Sequence, residues 1–171
     1  TAGYRGIGVG YPERISLAFD SEQMALRQLW KGDFANVNHG SFRARGSDLI
    51  IFPAGIPFHR LASLDDPWPY KGKTNYLFPH DHGYQYRGYF LDSQNRPTFM
   101  YRYGKISVED FFEDTLDDKG QAFFRRTLSF TTPTKQEPFF FRAATGKEIT
   151  ASGANWQIDR LKLNVQEYHR P

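Results

Sequence analysis

Two histidines, His80 and His82, are separated by a single aspartate in the segment Pro79-His80-Asp81-His82. In an extended chain, residues two apart point the same way. The pair would then offer two imidazoles to one zinc or copper ion. A third ligand would come from His39, His59, Asp65 or Asp66, and the spacing does not single one out. Just upstream lies a second constellation: Asp65, Asp66, Trp68, Tyr70, Asn75 and Tyr76. Aromatic rings of this kind stack on the C–H face of a sugar, while neighbouring carboxylates and amides bond its hydroxyls. Both constellations fall in residues 64–83, LDDPWPYKGKTNYLFPHDHG. That stretch has no periodicity, and a loop of such length in a compact domain tends to be functional.

Other residue types point away from chemistry. The acidic pairs Glu109-Asp110, Glu113-Asp114 and Asp117-Asp118 supply carboxylates, but a glycosidase needs two of them facing across a cleft. Neighbours on a strand face opposite ways, so a solvated strand edge and a turn account for these acids. No serine sits in a G-x-S-x-G context. Gly6, Gly8 and Gly10 are two apart and Pro12 follows, which is not dinucleotide-loop spacing; it fits a strand with one face closely approached by another backbone. Tyr84, Tyr86 and Arg87, with Tyr101-Arg102-Tyr103, have the composition of a platform for single-stranded nucleic acid. With a net charge of +3 and basic residues scattered singly, nucleic acid is not the expected partner. The chain has no cysteine, which excludes disulfides, thiol catalysis, Cys-ligated zinc and covalent c-type haem. A non-catalytic module is therefore the leading expectation. The alternative is a metal-binding redox accessory or enzyme domain using His80 and His82.

The elements that must position these residues read as strands. Residues 84–103 alternate aromatic and polar side chains around a turn at 92–96, a half-buried β-hairpin. Strict alternation places Tyr84, Tyr86 and Phe90 on one side and Gln85, Arg87 and Tyr89 on the other. Residues 106–110 continue the hairpin into a meander, extended by 111–116. After a turn at 117–120, residues 122–130 carry Phe124, Arg126, Leu128 and Phe130 on one face. Residues 24–30 fit a short helix or a strand, and extended neighbours favour the strand. Residues 31–33 read as a turn, 36–47 as irregular and polar, and 49–52 as a buried strand.

The expectation is an all-β fold, an antiparallel β-sandwich or barrel-like meander of about ten to thirteen short strands. Residues 1–171 would form a single domain with a long loop at 64–83. No apolar run reaches the length of a membrane helix. The start at Thr1, with no signal-peptide pattern, reads as a processed or excised form.

A series of short blocks resembles a known domain: RGIGVGY at 5–11, SLAFD at 16–20, LWKG at 29–32, and YRGY at 86–89 followed by Leu91-Asp92 and Arg96-Pro97-Thr98-Phe99. It is similar to a domain of large envelope proteins of planctomycetes and verrucomicrobia, which carry c-type cytochrome modules and dehydrogenase-like β-propellers elsewhere in the chain. The resemblance spans residues 5–110 and contains no catalytic motif. It implies a periplasmic or extracellular accessory domain of a redox or carbohydrate-processing protein. Its partners would be neighbouring domains or subunits, cytochrome c modules among them, or a glycan.

Overall fold

A computed structural model describes residues 5–38, 41–69, 78–134 and 139–167. The described chain is almost entirely antiparallel β-structure, in four sheets. The first contains β1 (Gly6–Gly10), β2 (Ile15–Asp20), β3 (Ala25–Asn38) and β4 (Ser41–Ile51), in that order. A short pair follows, β5 (Phe58–His59) with β10 (Phe140–Phe141). The second large sheet is the meander β6 (Tyr84–Leu91), β7 (Pro97–Tyr103), β8 (Ile106–Leu116) and β9 (Ala122–Thr131). Finally β11 (Ile149–Ser152), β12 (Asn155–Ile158) and β13 (Leu161–Asn164) form a small meander. The sandwich expectation holds and no barrel closes, because each large sheet keeps two edge strands.

The two large sheets meet through aromatic side chains. Phe19 of β2 stacks on Phe99 of β7, with ring centroids 4.0 Å apart and planes within 4°. Phe112 of β8 meets both rings edge-on, at 6.5 and 6.0 Å. Each of these rings is fully buried, and burying one contributes roughly 2–3 kcal/mol. Tyr11 closes one end, its hydroxyl donating to the Phe112 carbonyl at 3.2 Å and its ring set edge-on to Phe124 at 5.2 Å.

All six residues of β2 are buried, because its second face is covered too. Gly10, Ser16 and Trp30 lie in register across β1, β2 and β3. The Trp30 indole N–H donates to the carbonyls of Asp33 and Phe34, each at 3.0 Å, and the Phe34 ring lies against Gly10. A Cβ at position 10 would sit 3.1 Å from that ring. At Gly10 the close neighbour is the Phe34 ring, not the second backbone expected along the glycine strand.

The long first hairpin departs from the sequence reading. Residues 31–33 are not a turn, and 36–47 is not irregular where described: β3 runs through as a 14-residue strand paired to β4. Register shifts at Leu29/Lys31 and Asp33/Ala35 bend it. Gly32, with φ +94°, supplies the local turn-like conformation without ending the strand.

The 84–103 hairpin forms with one change. A bulge between Tyr86 and Gly88 inserts Arg87 as an extra residue, and Gly88 takes φ +109°. The insertion flips every side chain beyond it. Tyr89 pairs with Phe99 and meets its ring at 6.1 Å, whereas Phe90, expected on that face, pairs with Thr98 on the other; on this edge strand the two are 50% and 46% exposed. The turn beyond is closed by Asp92, whose carboxylate accepts from the Gln94 and Arg96 backbone N–H groups, each at 2.9 Å, and from Arg96 Nε at 2.8 Å.

Candidate functional site

The loop residues expected to bind a ligand meet the body of the protein at β5. Trp68 is half-buried and held from three sides. Its indole N–H donates to the Ile56 carbonyl at 3.3 Å. The Arg142 guanidinium, just past β10, lies over the indole at 4.7 Å. The His59 ring meets the indole edge-to-face at 4.9 Å. Arg142 is itself fixed, its side chain donating to the Ala54 carbonyl at 3.0 Å and its backbone N–H to Pro57 at 2.8 Å. Trp68 therefore acts as an anchor for its loop, and the cation over its ring occupies the position a sugar would take.

The acids beside it divide. Asp66 closes a turn, with its carboxylate accepting from the backbone N–H groups of Ala62 at 2.9 Å and Ser63 at 3.1 Å. Asp65 is exposed, and its backbone N–H donates to the Ser63 hydroxyl at 3.1 Å. Tyr70, Asn75 and Tyr76 lie outside the described residues, as does His39.

His80 and His82 stand on a single 3-10 turn, Pro79–His82. The argument from an extended chain fails there: at three residues per turn, side chains two apart diverge by roughly 120° about the axis. Pro79 starts the turn and Gly83, at φ +78°, ends it. Both histidines are exposed, and His80 Nδ1 lies 4.0 Å from the Asp81 carboxylate. Among the described residues no three of His, Asp and Glu come together as a metal site would require.

His59, expected only as a possible third ligand, is instead a buried side chain on the central pair β5–β10. It is 8% exposed, and its Nε2 has no hydrogen-bond partner among the described residues. Burial first, and then the charges of Arg142 and His82, pull its pKa down to about 4. Tyr84 stands on its other side, at 5.9 Å, with its hydroxyl donating to the Phe58 carbonyl and its ring stacked on Tyr103 at 4.2 Å. Burial is also the main reason the Tyr84 hydroxyl is held well above its ordinary pKa.

Comparison of the chain with protein-family models, with curated proteins and with solved structures returns no match.

The sharpest polar cluster was expected to be solvated acid. Asp110 is fully buried on the inner face of β8. Its two oxygens take Arg126 Nε at 2.8 Å and a terminal guanidinium nitrogen at 2.7 Å, and the Tyr101 hydroxyl donates to it at 3.2 Å. Arg126 lies over the rings of Phe112 and Phe141, at 5.0 and 5.1 Å. Glu113 pairs with Arg96 and Arg125, and Asp114 accepts from the Glu13 N–H, whereas Glu109 and Asp118 are exposed and Asp117 closes an exposed turn, as expected. The signal in sequence was Arg126 itself, sharing a face with Phe124 and Leu128; a cation on an apolar face calls for a buried anion opposite.

An open groove of about 650 Å³ lies between the β1–β2 turn, the β6–β7 turn and the end of β8, lined by Pro12, Glu13, Gln94, Arg96, Asp114 and Leu116 among others. Its charged walls are tied into the pairs just described, with Arg96 also bound to Asp92 at 2.8 Å. The groove mixes apolar residues, Pro12 and Leu116, with the polar Gln94, Asp114 and Thr115.

Proposed function

We propose that this domain is a non-catalytic module that works by docking against another protein surface, in an extracytoplasmic protein of the redox or carbohydrate-processing type. One observation carries the docking part of the reading. In the C-terminal meander, Ile149, Ile158 and Leu161 form one row across the three strands, and Ala151, Trp156 and Leu163 form the next. Thr150, Gln157 and Lys162 occupy the opposite face. Ile158 is buried and Leu161 packs against the protein's own core, which leaves Ile149 at 52% and Trp156 at 40% exposed. A three-stranded sheet with a clean apolar face is marginal on its own and gains stability when that face is covered. The extracytoplasmic context rests on the resemblance of residues 5–110.

A photo-crosslinking side chain placed at position 156, in the longest form of the protein that the cell produces, tests the reading. It is expected to trap a neighbouring domain or subunit far more than the same group at position 162 on the polar face. Equal, background labelling at both positions would overturn it. Glycan stacking on Trp68 has less support, because Arg142 already lies over that ring.

A further inference from the structure

We infer that His59 is the catch of an acid-released strap: neutral, it holds Trp68 and the segment 62–69 against the body of the protein, and protonation frees that segment. The inference stands apart from the docking surface. It begins with placement. His59 is more than nine-tenths buried on a two-residue strand, and Nε2 meets no acceptor or donor among the described residues. A proton on the ring would bring a cation into a site that is already cationic. Arg142 faces it from the end of β10, His82 from the 3-10 turn, and Tyr84 from β6 offers a ring rather than a carboxylate. Arg60, next in sequence, is directed over the Tyr103 ring at 5.7 Å. Among the described residues, none of the groups that act on His59 carries a negative charge.

A buried imidazolium without a partner must be hydrated or expelled. The element that yields is the one held by the fewest buried contacts. Residues 62–67 are exposed throughout, and their turn is closed internally by Asp66. Trp68 attaches them to the body through His59, Arg142 and the Ile56 carbonyl, and the half-buried Pro69 adds to that attachment. Strands β7 and β8, by contrast, carry Phe99, Tyr101 and Phe112 in the core. Opening the strap exposes one edge of His59 to water and leaves both large sheets intact. The device turns a fall in pH into an uncovered surface made of Trp68 and the β5–β10 pair.

Hydrogen–deuterium exchange of the whole chain from pH 7 to pH 4, corrected for the intrinsic rate, tests this. The opening equilibrium read at the Trp68 indole N–H, which donates to the Ile56 carbonyl, should rise by up to about tenfold per pH unit below the ordinary histidine pKa, the limit for one proton taken up on opening. Peptides from β7 and β8 should not change over the same range. His59→Gln, with His59→Leu as a second uncharged variant, should remove the dependence. Two results would overturn the inference: an unchanged pH profile in both variants, or a Trp68 indole N–H and sheet peptides that open together in the wild type.

Discussion

Asp110 and Arg126 face each other across β8 and β9 with two short charge-assisted bonds, at 2.7 and 2.8 Å, in a place where the carboxylate has no exposed surface. Tyr101 donates to the same carboxylate, so the pair is satisfied as well as matched. Removing one partner strands the other. Asp110→Asn or Arg126→Met alone should cost about 3–5 kcal/mol in urea unfolding. The apolar double variant Asp110→Leu with Arg126→Met should recover much of that, since the desolvation cost then disappears along with the attraction. A double variant as unstable as the sum of the two singles would show that the residues act independently.

Two glycines make a second contrast. A Cβ at position 46 would lie 1.7 Å from the Lys31 carbonyl oxygen and 2.7 Å from Trp30 Cδ1, and backbone cannot yield that distance without opening the β3–β4 pair. A Cβ at position 88 would meet nothing within 4 Å, and only the φ of +109° opposes it. Gly46→Ala should therefore be among the most damaging single changes in the protein. Gly88→Ala should cost on the order of 1–3 kcal/mol, from backbone strain alone. Thermal midpoints of the two variants, measured side by side, check the order.

How much of this was legible beforehand can be seen strand by strand. Period-two patterning found the meander β6–β9 and its turns, because each strand buries one face and polar residues mark the other. It failed where a residue is inserted. Arg87 and Gly88 look like ordinary alternating positions, yet the bulge sends Phe90 outward and Tyr89 toward Phe99. It failed again at 31–47, where Lys-Gly-Asp has turn composition but lies within a bent strand held by pairing with Ser47, Gly46 and Arg45 of β4. The loop histidines differ from expectation for a local reason: Pro79 and Gly83 punctuate a 3-10 turn, whereas a shared direction for residues two apart needs an extended chain. His59 was visible only as one histidine among five, since its burial depends on Trp68 and Arg142, which arrive from loops 9 and 83 residues away.

The bulge gives a direct check on side-chain direction. If Phe90 points outward, Phe90→Ser should cost less than about 1 kcal/mol, in the range of ordinary surface changes. Phe99→Ala, which removes the ring stacked on Phe19, should cost about 3–5 kcal/mol. Denaturant midpoints with an unchanged m-value would report both as changes in stability alone. Strict alternation predicts the opposite for Phe90, with a loss near that of Phe99.

The last prediction concerns pH and follows from the same histidine that closes the strap. Its pKa in the folded state is about 4, below the ordinary 6.5. The folded state thus favours neutral His59. That contribution is fully present above pH 6.5, is lost as pH falls from 6.5 through 4, and is gone below. If the fold kept His59 buried throughout, the loss would approach 3 kcal/mol, at about 1.4 kcal/mol per pKa unit. A strap that opens limits it, because the protein can hydrate the imidazolium by paying only the local opening cost. Urea unfolding of wild type against His59→Leu, at pH 7 and pH 4, measures the difference. A loss clearly smaller than the full value, attributable to His59 and accompanied by local exchange at 62–69, gives the free energy that holds the strap closed. A loss near the full value with no local exchange would mean that Trp68 stays seated until the whole fold gives way.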